Sequence, residues 1–253
     1  MTRAAARAVR ATAWGVALGL TAAVLAACGA SPAPLGETGV DGLTIPTPSP
    51  DPADFVAGVD NPWFPLTPGT TWTYRRSTPY GSQTLVARTL TLPSEIAGVA
   101  TTAVRWQAVR HGHRRILAVR WYAQDEAGNV WWFGQEVRRA APQVDPLARR
   151  SWRAGADGAR AGLVLSAVPR VGDGYANASA PGVVDRRSTV LSLTASVATP
   201  GRTYRDAVLT RDTSTLQPTM AEQTFFVRGI GMVAQQTSDA TTSDLALVRV
   251  RTP

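Results

Sequence analysis

The sequence is poor in the residues that most often carry catalytic or metal chemistry. Its 253 residues include one cysteine, two histidines and no lysine. A lone cysteine cannot form an intrachain disulfide, so we expect the folded part to be stabilised by packing alone. His111 and His113 lie among arginines, and no further histidine or cysteine is present to complete a zinc site with them. We interpret this pair as a solvated turn.

Motifs for nucleophilic catalysis and phosphate binding are also missing. The sequence contains neither a Gly-x-Ser-x-Gly elbow nor a glycine-rich phosphate loop. We therefore assign no catalytic residue, no cofactor and no metal ligand. An enzyme is not excluded on this basis, because a pair of catalytic carboxylates leaves no local motif.

Only one long apolar run is present, and it lies at the N-terminus. Residues 11–27 are uncharged and rich in alanine, and Arg3, Arg7 and Arg10 precede them. A basic start, an apolar stretch and a small-residue cleavage site are the three parts of an export signal. No second run approaches the length of about 20 residues that a spanning helix needs, so we expect no transmembrane segment after the signal.

The end of this run resembles the lipobox of bacterial lipoproteins. The match covers residues 25–29, whose letters are LAACG. The resemblance implies that residues 1–27 are a lipoprotein signal peptide and that Cys28 becomes the acylated N-terminus. Two or three acyl chains anchor a protein stably, which predicts a location on the outer face of the bacterial plasma membrane. Loss of three arginines with the signal lowers the formal charge from +8 to +5.

Composition divides the remainder into two parts. Residues 28–52 are small, polar and proline-rich, so they cannot bury enough apolar surface to offset the entropy of ordering. We expect them to form a disordered tether behind the lipidated cysteine. Residues 53–253 are long enough to form one sizeable core, and we expect a single β domain there.

Short strand-like runs follow one another through this domain. They are rich in threonine, valine and aromatic residues, and none shows a sustained period of 3.6 residues. The pattern predicts an all-β domain of about 10–11 antiparallel strands with little helix. The runs are 70–76, 84–92, 101–109, 115–125, 130–137, 162–168, 188–197, 204–212, 222–228, 232–238 and 245–251.

Residues 115–137 are predicted to form a central aromatic hairpin. In its first arm Trp121 and Tyr122 point to opposite faces of the sheet, and in its second arm Trp131 and Trp132 do the same. Both faces of the hairpin therefore carry aromatic side chains. This pattern indicates how the sheet is built, but it does not indicate an enzymatic reaction.

The connection between the two arms spans residues 125–129. Gly128 supplies the positive φ that a tight turn requires, and Asp125 and Asn129 are short polar side chains that bond to nearby backbone groups. A calcium site would need six or more oxygen ligands at ordered spacing, which these residues do not offer. We interpret them as turn residues.

Several motifs together resemble a family of uncharacterised secreted or lipid-anchored proteins of actinobacteria. They are NPWFPL at residues 61–66, WYAQD at 121–125, GNVWWFG at 128–134 and GIGMV at 229–233. The motifs are distributed over nearly the whole domain. What the resemblance implies is a shared architecture, without an activity or a ligand.

Residues 225–231 also resemble part of bacterial envelope proteins, similar to lipoprotein carriers, whose curved antiparallel sheet forms a half-barrel. The resemblance implies a single curved sheet, either a half-barrel or an open barrel, with a concave apolar face. The residues that we expect to line a groove on this face are Trp72, Trp106, Trp121, Trp132 and Phe226.

These features favour a non-enzymatic, lipid-anchored binding protein of the cell envelope. The expected partners are the membrane, through the lipid, and an apolar ligand or envelope protein on the concave face; an exported protein of modest charge is not expected to bind nucleic acid. Two alternatives stay open. A carboxylate-dependent extracellular hydrolase acting on glycans would place two acids about 5 to 10 Å apart across a pocket. A structural envelope component would have no pocket.

Overall fold

The computed structural model describes residues 51–78, 81–110, 112–138, 149–219, 221–237 and 244–253. The predicted signal peptide, Cys28, nearly all of the tether and His111 lie outside the described residues. Within the described part, a short 3-10 turn (Pro52–Asp54) precedes 15 strands. No helix among these residues is long and apolar enough to cross a membrane.

The strands cover most of the described chain. In chain order they are β1 (Phe55–Val56), β2 (Thr71–Thr78), β3 (Gly81–Thr89), β4 (Ser94–Ile96), β5 (Val99–Arg110), β6 (His113–Asp125), β7 (Val130–Val137), β8 (Trp152–Arg153), β9 (Arg160–Leu165), β10 (Gly174–Ala180), β11 (Val184–Thr199), β12 (Arg202–Ser214), β13 (Ala221–Val227), β14 (Gly231–Thr237) and β15 (Asp244–Arg251).

The sheet closes on itself to form an antiparallel barrel. Neighbouring strands pair in the order β6-β5-β3-β2-β15-β14-β13-β12-β11-β10-β9-β7, and β7 pairs back with β6. Within the described residues this ring has 12 strands, and β1, β4 and β8 add to β6, β5 and β7 outside it. The prediction of an all-β, curved antiparallel sheet is confirmed. The structure adds that the sheet is closed rather than a half-barrel.

Alternation of side chains between two faces explains why these sequences form barrel strands. In β11, Val184, Arg186 and Ser188 are buried, whereas Arg187 and Thr189 between and beyond them are exposed. Successive residues of a strand point to opposite faces, so one set lies inside the barrel and the other meets solvent.

All eleven predicted strands are present, and the structure adds four that the sequence did not indicate. Three of these, β1, β4 and β8, are only two or three residues long. The fourth, β10, has the sequence GYANASA. Apart from Tyr175 its residues are small and none is β-branched, so the strand lacks most of the side chains by which strands are recognised.

The central hairpin is β6 and β7, and its turn has the predicted chemistry. Gly128 has a φ of 82°, and its N–H donates to the Asp125 carbonyl at 2.8 Å. The Asp125 carboxylate accepts from the Asn129 backbone N–H at 2.8 Å and from the Trp131 indole N–H at 2.8 Å. Asp125 is thus fully engaged in holding the turn, as a structural interpretation requires.

The outward face of this hairpin is also covered, which explains why β7 is buried on both sides. Phe55 of β1 contacts Trp131 and Phe133 edge to face, at centroid distances of 6.1 and 5.1 Å. The guanidinium of Arg153 in β8 lies 4.7 Å from the centroid of the Trp121 ring. The short strands outside the barrel therefore shield aromatic residues that would otherwise face solvent.

Candidate functional site

A partly enclosed cavity of about 90 Å³ lies inside the barrel. Two contrasting groups of side chains form its sides. We name the first group the aromatic wall, which consists of Trp72 and Tyr74 on β2, Trp106 on β5, Tyr122 on β6 and Trp132 on β7. We name the second group the polar wall, which consists of Asn177, Arg186, Ser188, Thr210, Asp212, Thr224 and Gln235 on β10 to β14.

The aromatic wall follows from the strand register. Ala87 of β3 pairs with Trp72 on one side and Trp106 on the other, so a small residue separates two indoles. Tyr74 stacks on Trp106 with a centroid distance of 5.5 Å, and Tyr122 stacks on Trp132 at 6.4 Å. Stacked rings at these distances are a favourable arrangement for aromatic pairs.

Residues 61–66, the NPWFPL segment, cover one end of the cavity. Phe64 contacts Tyr122 at 5.2 Å and Phe226 at 5.9 Å between ring centroids, and it lines the cavity. The segment is held by Asn61, whose side-chain amide donates to the Gly128 carbonyl at 2.7 Å. The prolines prevent regular structure here. Because Phe64, Pro65 and Leu66 line the cavity, we call residues 61–66 the plug.

Hydrogen bonds and ion pairs connect most side chains of the polar wall to one another and to the neighbouring Glu222. The register places Ser188, Asp212 and Glu222 opposite one another on β11, β12 and β13. Asp212 accepts a hydrogen bond from the Thr224 hydroxyl at 3.1 Å and lies within hydrogen-bonding distance of the Ser188 hydroxyl. Buried polar groups are stable only when they are satisfied in this way.

Arg186 joins the two carboxylates of this network. Its Nη2 lies 2.7 Å from Asp212 Oδ2 and 3.2 Å from Glu222 Oε2. Gln235 Nε2 donates to the same Glu222 oxygen at 3.3 Å. One guanidinium between two carboxylates neutralises one of their two negative charges, so the polar wall presents dipoles and a hydrogen-bonded ion cluster to the cavity.

A second buried arginine lies within the aromatic wall. Arg120 is 9 % exposed and lines the cavity. Its guanidinium lies 5.2 Å from the centroid of the Trp132 ring and 5.7 Å from that of Trp106. Its Nε donates to Gln135 Oε1 at 3.2 Å. Stacking between two indoles places a permanent positive charge on an otherwise apolar surface.

The three indole N–H groups of the aromatic wall differ in their partners. Trp72 Nε1 donates to the Ile230 carbonyl at 2.8 Å, and Trp132 Nε1 donates to the Gly134 carbonyl at 2.7 Å. Trp106 is 6 % exposed, yet its Nε1–H has no acceptor among the described residues. A buried donor without a protein acceptor is uncommon and calls for an explanation.

Tyr74 stays neutral to a higher pH than a solvent-exposed tyrosine does. Burial raises the pKa of its phenol well above the ordinary value, and the neighbouring Tyr122 and Tyr204 raise this pKa further. The hydroxyl donates to the Met232 carbonyl at 3.0 Å. Tyr74 thus joins β2 to β14 as a neutral hydrogen-bond donor.

The structure brings together four of the five residues that were expected to line a groove. Trp72, Trp106, Trp132 and Phe226 lie on the cavity. Trp121 does not: it lies between two residues that line the cavity, so it points to the outer face, where Arg153 covers it. Grouping Trp121 with the other four is therefore corrected.

The polar wall, and the buried Glu222 that joins its ion cluster, were missed at the sequence level. Among the described residues lining the cavity, Asp212 is the only acid. Glu222 lies beside Asp212 and contacts the same nitrogen of Arg186. It does not face Asp212 across the cavity. No group of three or more metal-ligating side chains occurs among the described residues.

The fold and the cavity define a class of protein, a closed antiparallel β-barrel whose cavity has an aromatic wall and a polar wall. No family model matches the sequence, and no curated protein sequence matches it. A search of solved structures finds similarity to a protein from Parabacteroides distasonis that is described as a lipoprotein candidate. The two share 11% sequence identity with a TM-score of 0.38, over 75% of this chain and 98% of that one.

Proposed function

We propose that this protein is a lipid-anchored binding protein of the bacterial cell envelope that holds a small, partly apolar ligand inside its barrel. The observation that carries the proposal is the cavity itself, with an aromatic wall opposite a polar wall. Ligand sites are typically concave and mostly apolar, with a few convergent polar groups that fix the orientation of the ligand.

The size of the cavity limits the ligand. The cavity has a volume of about 90 Å³, which is enough for several water molecules. Because a cavity of about 150 Å³ holds benzene, this one encloses only a short part of an apolar ligand, and a folded peptide or a diacyl lipid does not fit inside it. The ligand is therefore a small molecule, or one short arm of a larger one.

Binding of octan-1-ol to the purified full-length chain tests the binding role. We expect it to change tryptophan fluorescence, because three indoles line the cavity. Ala87→Leu, which fills the space between Trp72 and Trp106, is expected to abolish binding. The control is Val86→Leu on the adjacent, opposite-facing position. If the wild-type chain shows no saturable binding of octan-1-ol or of octyl probes with a charged head, the barrel interior is a structural core, and the binding role is wrong.

The anchor rests on the sequence alone and has its own test. We expect mass spectrometry of the chain purified from membranes to show an N-terminal peptide that begins at Cys28 and carries two or three acyl chains. The Cys28→Ser variant is expected to leave the membrane fraction, because it has no thiol to acylate. An unmodified Cys28 thiol in the membrane-derived chain would refute the anchor without affecting the binding role.

A further inference from the structure

The polar groups on the cavity differ in whether the protein itself satisfies them, and this difference identifies the chemistry of the ligand. On the polar wall, the carboxylate of Asp212 already contacts Arg186, Ser188 and Thr224. These carboxylate oxygens are occupied. The second carboxylate of the cluster, Glu222, does not line the cavity, so a cationic ligand head would meet only the engaged Asp212 carboxylate and the guanidinium of Arg186.

The aromatic wall, in contrast, carries a polar group that the protein does not satisfy. The Trp106 Nε1–H is a buried donor with no acceptor among the described residues. The guanidinium of Arg120 lies 5.7 Å from the centroid of the same indole ring and carries a permanent positive charge. A hydrogen-bond donor and a positive charge on one apolar surface together attract a ligand atom that accepts hydrogen bonds and is negatively charged.

We propose that the cavity selects a small apolar carboxylate, such as a medium-chain fatty acid, whose carboxylate oxygens accept from Trp106 Nε1–H beside the Arg120 guanidinium. This inference rests on the proposed binding function and adds the chemical class of the ligand. The apolar tail contacts Tyr74, Tyr122 and Phe64, which line the same cavity. The monoanionic head fits a site with one cation and one neutral donor better than a dianionic phosphate does.

Three probes with the same tail and different heads test the proposal on the full-length chain. They are octanoate, octan-1-ol and octylammonium, with affinities measured by tryptophan fluorescence and by calorimetry. We expect octanoate to bind about tenfold or more tighter than octan-1-ol, because a hydrogen bond to a charged group is stronger than one between neutral groups. Octylammonium is expected to bind more weakly than octan-1-ol.

The Trp106→Phe variant removes the indole donor and keeps an aromatic ring. We expect it to weaken octanoate binding about tenfold or more and octan-1-ol binding only about two- to fourfold, because a hydrogen bond to a charged group contributes more than one between neutral groups. The matched control is Trp72→Phe, which removes an indole whose N–H is already engaged by the Ile230 carbonyl. In that variant the ratio of octanoate to octan-1-ol affinity should stay at the wild-type value.

Two variants, Arg120→Gln and Arg120→Lys, test whether the positive charge of Arg120 contributes to the preference for octanoate. Loss of the charge should remove the preference for octanoate, and the lysine variant should restore part of it. Because Arg120 is buried, either variant can lose its fold; the Trp106→Phe comparison then decides the question alone. Equal binding of all three probes, or an unchanged ratio in Trp106→Phe, would overturn the carboxylate assignment. Binding of none of the probes would instead refute the proposed binding function.

Discussion

The aromatic wall and the polar wall face each other across one cavity, and they are stabilised by different interactions. Stacked rings form the first wall, with Tyr74 against Trp106 and Tyr122 against Trp132. The second wall is a hydrogen-bonded ion cluster centred on Arg186. Burial of rings contributes through the area removed from water, whereas buried charges contribute only when every partner is in place.

The two walls should therefore differ in how well they tolerate substitutions. A ring can be replaced by a smaller ring at the cost of lost contacts. Removal of one member of the ion cluster leaves uncompensated charges in the barrel interior, which is far more costly. We therefore expect the polar wall to be rigid and structural, and the aromatic wall to be the side that accommodates a ligand.

The largest expected effect is from Arg186→Ala. Loss of the guanidinium leaves the buried Asp212 and Glu222 without their shared cation, so we expect the free energy of unfolding to fall by about 3–5 kcal/mol. The control is Arg187→Ala at the adjacent position, where the side chain is 68 % exposed and its ion pair is with Asp185. We expect that change to cost less than about 1 kcal/mol.

Urea unfolding followed by circular dichroism measures both variants. A similar loss in Arg186→Ala and Arg187→Ala would mean that the ion cluster of the polar wall contributes no more than a surface ion pair. The contrast between the two walls would then be wrong.

An intermediate effect is expected from Phe64→Ala in the plug. Phe64 contacts Tyr122 and Phe226, so its loss removes apolar burial from the end of the aromatic wall. We expect a cost of about 3 kcal/mol, at the lower end for phenylalanine because the side chain is only half-buried. Leu92→Ala is the control, since Leu92 is 78 % exposed.

The same variant opens one end of the cavity. Octan-1-ol should consequently dissociate faster from Phe64→Ala than from the wild-type chain in stopped-flow fluorescence. If stability falls and the dissociation rate does not change, the plug is part of the core but not a barrier to ligand exit.

The positions of the strands could be predicted from the sequence, because alternation and turn residues are local signals. The turn at Gly128 could be predicted for the same reason. Closure of the barrel could not, since it depends on the pairing of the first strand of the ring, β2, with the last, β15, and these strands lie at opposite ends of the domain's sequence. That pairing depends on tertiary packing, which no local pattern reports.

The aromatic part of the site was more visible in the sequence than the polar part. Tryptophan on a strand predicts burial whichever face it lies on, so Trp72, Trp106 and Trp132 were found even though Trp121 was grouped with them. The neighbours Arg186 and Arg187 look alike in the sequence, but one lies in the ion cluster and the other meets solvent. They differ only in the side of β11 on which the side chain lies: one faces the barrel interior and the other faces solvent.

The smallest change in stability is expected from Tyr74→Phe, and it depends on pH. Because burial raises the pKa of Tyr74 above its ordinary value of about 10, the unfolded chain loses this proton before the folded chain does. The contribution of Tyr74 to stability is therefore fully present below about pH 10 and is lost progressively as the pH rises above it. Tyr74→Phe should reduce the slope of stability against pH above 10, and at pH 7 it should cost about 1 kcal/mol for the hydrogen bond to Met232.

Tyr175→Phe provides the matched comparison on the polar side of the barrel. Burial also raises the pKa of Tyr175, and Asp173, to which its hydroxyl donates at 3.2 Å, raises it further. Both variants should therefore reduce the alkaline slope. Only Tyr74→Phe should also alter octan-1-ol binding, because Tyr74 lines the cavity and Tyr175 does not. Equal effects of the two variants on binding would show that ligand affinity follows global stability rather than the aromatic wall.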